Sequence, residues 1–312
     1  MSLPEDYLHY PRRDYGMDQD RYAWSILPRR ERVQWPNGAR VALWIVTALE
    51  WFPLDMTGQP FLVPGGFTRP YPDYWNYTTR DYGNRIGVFR VMKVLDELGI
   101  RASVPMNSAL ATRYPSLLDE INQRDWEIIA HGVDMGHVLH GDMPADEEEA
   151  LIDESVSVLR ERSGQAVYGW LSPARSESFN TPDLVAQHGI RYLCDWANDD
   201  LPYPMQVSDG ELHALPHAHE LDDRLILAQH HHGEDSFCQQ IIDQFDALYA
   251  EAGSEGGRVM AISLHPWIIG QPYRIASLRK ALEHVMSHAD VWPATGVEIL
   301  DAFIGQKAPP AP

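Results

Sequence analysis

Cysteine is scarce in this chain of 312 residues, which contains only Cys194 and Cys238. Two cysteines are too few for a disulfide framework or for a zinc site built from thiolates. The glycine motifs of nucleotide-binding folds are missing too, since no GxGxxG follows the first apolar run and GxxxxGK(S/T) occurs nowhere. Folds that hold phosphates on a glycine-rich loop therefore lose support.

Positive charge is also in short supply. The 25 lysines and arginines face 45 aspartates and glutamates, which gives a net charge of −20. Nucleic acids and anionic membranes are bound through basic patches, so this balance argues against both as partners. No apolar stretch approaches the ~20 residues that span a bilayer. The start, MSLPEDYLHYPRRDYG, lacks the apolar core of a secretion signal. We expect a soluble, cytoplasmic protein with a small-molecule substrate.

What the sequence does contain is an alternation of short apolar runs and helical patterns. Residues 41–49, 126–130 and 259–264 are apolar runs of the length of buried strands. An apolar stripe over 88–98 that stops at Gly99 predicts a helix, and Pro115 and Pro144 each open another. Shorter signals predict strands at 100–105, 168–171, 190–194 and 291–292, and helices at 181–189, from Ser236, at 275–285 and at 297–304.

Two segments break the alternation. Residues 51–84 are rich in Pro, Gly and aromatic residues, and their length is typical of a functional loop. Residues 196–235 are irregular, with two short strands expected around Leu215 and Leu225–Leu227. Strand followed by helix, repeated at least six times, predicts an α/β fold with a parallel sheet. About seven such units without a nucleotide motif favour a closed or nearly closed barrel.

In a parallel barrel the carboxyl ends of all strands open on one face. The polar residues that follow the predicted strands should therefore converge. They are Glu50, Asn107, His131, Arg175, Asp195 with Asn198, Asp199 and Asp200, and His265.

The two histidines in this set end long apolar runs. His265 stands in Leu264-His265-Pro266-Trp267, where the proline ring fixes the backbone. A rigid imidazole there suits general acid work on a leaving nitrogen, and the alternative is a hydrogen-bonded structural histidine. His131 precedes Gly132 and could be a metal ligand, a base or an orienting residue. Its structural alternative is a histidine paired with a backbone carbonyl.

The other candidates also have two interpretations. Arg175 could orient an acidic group or a substrate carbonyl, or form a surface salt bridge. Asp195, Asp199 and Asp200 place three carboxylates within six residues, and close carboxylates raise one another's pKa. Asp195 is the better candidate base, because Asp199 and Asp200 fit a solvated turn. The run 230–232 is a poor metal site because adjacent side chains point apart. The alternating His213, His217 and His219 lack an accompanying carboxylate or cysteine ligand.

The order of the motifs resembles the polysaccharide deacetylase superfamily, which is carbohydrate esterase family 4 with the NodB homology fold. The likeness is greatest to its branch of allantoinase-like and cyclic-amide hydrolases. It is carried by Tyr82-Gly83-Asn84-Arg85-Ile86-Gly87, Glu127–Gly132, Gly169–Arg175, Asn198–Tyr203 and Leu264–Pro272. The resemblance implies a single-domain, distorted (β/α)7 barrel over 41–305. A 1–40 N-terminal arm and a 306–312 tail flank it, and the assembly is expected to be a homo-oligomer, a dimer or tetramer.

The departures from the family pattern concern the metal site. Metal-dependent members end the first strand in Asp-Asp and place a second histidine four residues after the first. Here the first strand ends Val46-Thr47-Ala48-Leu49-Glu50, and Met135 stands four residues past His131. The allantoinase-like branch is similar in lacking these ligands. The resemblance thus implies hydrolysis of a C–N bond with no cofactor.

Three functions are compatible with these residues. In the first, a hydrolase cleaves a small, cyclic amide such as a ureide, hydantoin or imide. Its candidate catalytic residues are His265, His131, Glu50, Asp195 and Arg175, and its candidate substrate-binding residues are Trp267, Asn107, Trp170, Asp199 and Tyr203. The second is an N-deacetylase of an amino sugar or polysaccharide, with a divalent metal such as zinc at His131 and with Glu50 or His137 as a further ligand. The third is a binding protein that has lost catalysis.

Overall fold

The computed structural model describes residues 19–54, 72–217 and 219–307 of the chain. Its strands are β1 Val41–Thr47, β2 Ala102–Met106, β3 Glu127–Ala130, β4 Gly169–Trp170, β5 Tyr192–Leu193, β6 Tyr203–Met205, β7 Leu212–Ala214, β8 Arg258–Leu264 and β9 Val291–Pro293.

The α-helices of the same segments are α1 Tyr74–Tyr82, α2 Val88–Leu98, α3 Ser108–Arg113, α4 Pro115–Asn122, α5 Ala145–Ser163, α6 Thr181–Gln187, α7 Glu234–Glu255, α8 Pro266–Ile269, α9 Ile275–Met286 and α10 Gly296–Lys307. Two π-helical segments, Gly83–Gly87 and Arg224–Gln229, and three short 3-10 turns, Leu27–Arg29, Pro36–Gly38 and Pro173–Arg175, complete them. None of the described helices is both long and apolar enough to cross a membrane.

The strands form one sheet in the order β6-β7-β5-β4-β3-β2-β1-β8, and β9 pairs with the start of β1. All neighbouring strands are parallel except β6 and β7. The segment after β7 pairs with β8 at one isolated bridge, between Asp222 and Ser263. The sheet therefore curls into a distorted barrel of mostly parallel strands, and the α/β barrel predicted from the sequence is confirmed.

Burial of both faces explains why the strands are continuous apolar runs. Every residue of β1 and of β8 is buried. Successive residues of a strand point to opposite faces. Accordingly, Leu43 and Ile45 pack with the helices that cover the barrel, whereas Trp44 and Val46 join a second cluster with residues of β5 and α10.

The described part of the N-terminal segment, 19–40, packs on the barrel. Arg21 is buried and forms an ion pair of 2.7 Å with Asp183 at the start of α6. The indole N–H of Trp35 donates a 2.9 Å hydrogen bond to the carbonyl of Arg258 at the start of β8.

Several sequence predictions were wrong in detail. The loop predicted over 51–84 contains helix α1, which Asp73 caps by accepting a 3.0 Å hydrogen bond from the Asn76 amide. This helix is rich in polar and aromatic residues, so it carries no apolar stripe. Residues 55–71 of that loop lie outside the described residues.

The irregular segment 196–235 was also misread in part. The strand expected at Leu225–Leu227 is π-helical, although Ile226 and Leu227 are buried as the apolar run suggested. A short apolar run does not distinguish a strand from a buried helical turn. The helix expected from Ser236 begins at Glu234, with Gly233 as its N-cap.

Candidate active site

Polar side chains at the carboxyl ends of the strands surround a small cavity of about 30 Å³. That space exceeds the ~10–15 Å³ that one water molecule requires. Four of the five predicted catalytic residues line it, namely Glu50, His131, Arg175 and His265. Its wall also contains residues that the sequence did not single out for catalysis, namely His217, Asp222, Arg224 and Ser263. The convergence predicted from the strand ends is therefore observed for the four predicted residues.

His265 is held by Asp223, a residue missed by the sequence reasoning. The Nδ1 atom of His265 lies 2.7 Å from Oδ1 of Asp223, and the His265 backbone N–H donates to the same carboxylate at 2.9 and 3.0 Å. Asp222 lies beside it, with Oδ1 3.5 Å from the same Nδ1 atom. The contact to Asp223 fixes the proton on Nδ1 and leaves Nε2 for the cavity.

The charge of His265 follows from these two carboxylates. Burial alone would lower the pKa of His265, but Asp222 and Asp223 outweigh it and raise the pKa to about 9. The imidazole is thus protonated at neutral pH. A buried, charged imidazole with a fixed orientation can donate a proton to a leaving group.

The loop that carries His265 is packed tightly against a helix. Helix α1, the π-helical segment Gly83–Gly87 and α2 run on without a break. A Cβ atom on Gly83 would lie 2.6 Å from the backbone nitrogen of Trp267, and one on Gly87 would overlap the Pro266 carbonyl oxygen. Only glycine permits this approach. The Tyr82–Gly87 motif therefore positions the loop beside His265.

His131 has a different partner. Its Nδ1 atom lies 2.6 Å from the carbonyl oxygen of Leu171, which accepts the Nδ1 proton. The Nε2 atom is buried and has no hydrogen-bond partner among the described residues. Its nearest charged neighbour is Glu50, with Oε1 3.8 Å away. Within the described chain, the Nε2 atom of His131 is thus left without a hydrogen-bond partner next to a carboxylate.

Glu50 is ionised in this setting. Burial alone would raise its pKa, but interactions with His131 and the positive charges of His265 and Arg224 lower the pKa to about 2. The backbone around Glu50 is fixed as well. Asn84 donates a 3.1 Å hydrogen bond to the Glu50 carbonyl.

Asn107 ties together the ends of β1 and β3. Its Oδ1 atom accepts a 2.7 Å hydrogen bond from the Trp51 amide, and its Nδ2 group donates to the His131 carbonyl. The side chain is completely buried. Asn107 was predicted to bind substrate, whereas here both of its polar atoms hold the backbone beside Glu50 and His131.

Arg175 reaches the cavity and contacts His217. Its guanidinium donates to the His217 carbonyl at 2.9 Å and to Nδ1 at 3.2 Å. The Nε2–H of His217 then donates to Ser263. Burial and the charge of Arg175 lower the pKa of His217 well below its usual range, so this imidazole is neutral. Ala174 and Arg175 both have positive φ, at 57° and 55°, which marks a strained turn at the cavity edge.

Asp195 does not line the small cavity. It faces a larger cavity of about 910 Å³ whose wall also includes Arg175, Glu177 and Trp196. Its Oδ1 atom accepts a 2.8 Å hydrogen bond from the Ser172 amide. Burial raises the pKa of Asp195, and burial together with the Asp195 charge raises the pKa of Glu177 to about 9. Arg175 is therefore shared by the walls of both cavities.

The remaining predicted substrate-binding residues are spread around this face. Trp267 directly follows the His265 loop and is 8% exposed. Trp170 is buried in the core and donates a 2.8 Å hydrogen bond to Ser172. Asp199 forms an ion pair of 2.6 Å with Arg30, and the Tyr203 hydroxyl donates a 2.7 Å hydrogen bond to Asn198. The structure thus engages Trp170, Asp199 and Tyr203 in contacts within the protein.

The residues that the sequence reasoning missed come from the segment after β7. Asp222, Asp223 and Arg224 lie in the irregular stretch, and the pairing of Asp222 with Ser263 of β8 brings them to the site. Asp222 and Arg224 line the cavity, whereas Asp223 contacts His265. The acidic pair directly before an arginine was the available signal. Its tertiary pairing could not be inferred from local patterns.

Among the described residues, no third histidine, cysteine or carboxylate joins Glu50 and His131 in a three-ligand group. In the described chain, the groups with three potential ligand atoms within 4.8 Å of one another are Asp246, His284 and His288, and Asp222, Asp223 and His265. Neither contains His131. His137, the proposed extra ligand, is 54% exposed and pairs with Asp134 at 2.8 Å. In the second group the carboxylate of Asp223 is already engaged, because it accepts hydrogen bonds from the backbone N–H of His265 and contacts Nδ1 of the same residue.

Comparison with known proteins places this site in context. The sequence profile of the polysaccharide deacetylase family matches residues 70–193. A Schizosaccharomyces pombe protein that bears the name of a polysaccharide deacetylase is 25% identical over 297 residues, covering 86% of this chain and 92% of its own.

Two solved structures are similar over almost the whole chain. The crystal structure of Puue allantoinase has a TM-score of 0.80 at 26% identity and covers 95% of this chain and 98% of its own. A Pseudomonas aeruginosa PAO1 protein named for polysaccharide deacetylase activity has a TM-score of 0.81 at 25% identity, covering 89% and 95%. These similarities confirm the resemblance to the polysaccharide deacetylase superfamily. They identify the chain as a hydrolase of C–N bonds other than peptide bonds.

Proposed function

We propose that this chain hydrolyses a small, cyclic amide such as a ureide, hydantoin or imide, by a mechanism that needs no metal. One observation carries the proposal: two imidazoles whose Nδ1 atoms have different partners line one cavity. Nδ1 of His265 faces the Asp223 carboxylate, whereas Nδ1 of His131 faces the Leu171 carbonyl and its Nε2 lies 3.8 Å from Glu50. An acid and a base kept apart in this way are what amide hydrolysis requires.

His131 is the proposed general base. A water molecule in the cavity would lose a proton to Nε2 of His131 as its oxygen attacks the substrate carbonyl carbon. The Glu50 carboxylate, 3.8 Å from Nε2, would stabilise the imidazolium that forms. The Leu171 carbonyl keeps the ring in the required tautomer.

His265 is the proposed general acid. After the attack, the C–N bond of the tetrahedral intermediate breaks and its electron pair passes to the nitrogen. The Nε2–H of His265 protonates that nitrogen, so the ring opens to one product that carries a carboxylic acid and the released N–H group. The developing oxyanion would gain from Arg175 and Arg224, whose guanidinium charges lie on the cavity wall.

The surroundings support a small ring as the substrate. The cavity of about 30 Å³ holds little more than the attacking water, but the cavity of about 910 Å³ on the other side of Arg175 has room for a small molecule. Its wall includes Tyr22, Phe179 and Trp196, which offer flat apolar surfaces. Puue allantoinase, by name an enzyme of this substrate type, is similar over almost the whole chain.

The test is a panel of ureides, hydantoins, cyclic imides and N-acetyl sugars, each with and without a chelator. We expect chelator-insensitive turnover of a member of the first three classes. With that substrate, His265→Ala should lower kcat by ~10²–10⁴-fold. The exposed His140→Ala is the matched control and should leave turnover unchanged. Unchanged turnover in His265→Ala would remove the proposed acid.

N-deacetylation of an amino sugar is the second candidate. It is supported by the similarity to the Schizosaccharomyces pombe and Pseudomonas aeruginosa proteins, both named for polysaccharide deacetylation. Turnover of N-acetyl sugars that a chelator abolishes would favour this activity over the first.

A further inference from the structure

Two helices on the outside of the barrel bring two histidines and an aspartate together. Asp246 lies on α7, His284 lies on α9, and His288 stands two residues after the end of α9. The Nε2 atom of His284 is 2.8 Å from Oδ1 of Asp246. One ligand atom from each of the three residues lies within 4.8 Å of the others.

The orientation of His288 suits a ligand. Its Nδ1 atom lies 3.0 Å from the His284 carbonyl oxygen, which fixes the proton on Nδ1 and leaves a lone pair on Nε2. Histidines that bind metals commonly donate their other N–H to a carbonyl in this way. The ring packs edge-to-face on Phe245 and Tyr249, with centroids 4.8 and 5.0 Å apart. The imidazole is therefore oriented before any ion arrives.

We propose that Asp246, His284 and His288 form a binding site for a divalent transition metal on the outer surface. Two imidazoles and one carboxylate are ligands that Zn²⁺, Ni²⁺ and Cu²⁺ accept, whereas Ca²⁺ and Mg²⁺ prefer oxygen. Asp246 is exposed and both histidines are half-buried, so an ion reaches the site from solvent and completes its coordination with water.

The bound ion would link α7 to α9. Both helices belong to the layer that covers the barrel, and α7 also packs on β8, the strand that ends at His265. A bond from each helix to one ion stabilises their packing through the free energy of metal binding.

The experiment uses the full chain after treatment with EDTA. Isothermal titration with Zn²⁺ should show one saturable site, and the electron paramagnetic resonance spectrum of the Cu²⁺ form should show nitrogen coupling from two imidazoles. His284→Gln and His288→Gln should each weaken Zn²⁺ binding by more than ~10-fold. His188→Gln, a half-buried surface histidine beside Asp153, is the matched control and should bind as the wild type does.

The thermal transition provides a second readout. Zn²⁺ should raise the Tm of the wild type and of His188→Gln but not of His284→Gln, and circular dichroism checks that each variant is folded. The proposal is overturned if Zn²⁺ affinity is the same in the three variants, or if the wild type shows no saturable site. The same variants assign any zinc found in the purified protein, because zinc that remains in a His284→Gln/His288→Gln double variant lies elsewhere.

Discussion

The Nδ1 atom of His265 and the Oδ1 atom of Asp223 are 2.7 Å apart, although the residues are separated by 42 positions in the chain. The equivalent nitrogen of His131 faces the Leu171 carbonyl at 2.6 Å. A carboxylate partner favours the protonated imidazole, whereas a carbonyl partner fixes the tautomer without adding charge. The different Nδ1 partners of the two rings support the proposed roles of His265 as acid and His131 as base.

Replacing Asp223 by Asn should shift the pH profile. Burial lowers the pKa of His265, but the charges of Asp222 and Asp223 outweigh it and raise the pKa to about 9. The imidazole can therefore act as an acid below that pH and loses its proton above it. In Asp223→Asn the pKa of His265 falls, and the alkaline limb of kcat/KM moves to lower pH by at least ~1 unit. The measurement is the pH–rate profile of kcat/KM with the substrate found in the panel.

The control for this shift is Asp153→Asn. Asp153 lies 3.4 Å from His188 on the surface, so it repeats an aspartate–histidine pair away from the cavity. The alkaline limb of the kcat/KM profile of Asp153→Asn should match that of the wild type. If Asp223→Asn also kept the wild-type alkaline limb, His265 would not be the group that titrates there.

His131 and Glu50 should differ in their effect on turnover. His131→Ala removes the proposed base and should lower kcat by ~10²–10⁴-fold. Glu50→Gln keeps the shape of the side chain and removes only the charge 3.8 Å from Nε2 of His131, so a smaller loss is expected. Steady-state kinetics on both variants decides between the residues. A larger loss in Glu50→Gln would assign the base to the carboxylate.

Much of the barrel could be predicted because its strands are buried on both faces. The runs before His131 and His265 are apolar apart from Glu127 and Ser263, and the proposed chemistry starts where each run ends. Parallel strands bring those ends together, so Glu50, His131, Arg175 and His265 could be grouped from the sequence.

Long-range pairing explains what the sequence reasoning missed. Asp223 reaches His265 because its neighbour Asp222 pairs with Ser263, a contact between segments about 40 residues apart. Nothing local in the stretch around Leu225 signals that pairing. Asp195 was selected correctly as the residue after a strand, yet it faces the larger cavity, because the Ser172 amide holds its carboxylate there.

Gly87→Ala should disturb the site from a distance. The new Cβ would overlap the Pro266 carbonyl oxygen, so the loop that carries His265 must shift. Overpacking of this kind costs roughly 1–3 kcal/mol of unfolding free energy, and the moved acid should lower kcat more than it changes KM. Gly305→Ala is the control, since an added Cβ there meets nothing within 4 Å. Equal kcat in both variants would show that the close packing does not position His265.

Glu127→Gln should affect stability and leave the chemistry intact. Glu127 begins the strand that His131 follows, so it lies at the opposite end of the barrel. Its carboxylate accepts hydrogen bonds from the hydroxyls of Ser103 and Tyr192 at 2.5 and 2.6 Å, and from the amides of Gly296 and Val297 at 2.8 and 3.1 Å.

All four partners donate, so an amide in place of the carboxylate brings N–H groups against N–H and O–H donors. Leaving buried donors unsatisfied should cost roughly 1–3 kcal/mol of unfolding free energy in urea titrations. Glu120→Gln loses only the partly exposed i,i+4 pair with Arg124, for which roughly 0.3–0.5 kcal/mol is expected. If Glu127→Gln costs no more than this control, the carboxylate does not hold β3, β5 and α10 together. With kcat retained in both variants, the stability of the barrel and the chemistry at its other end would be separable.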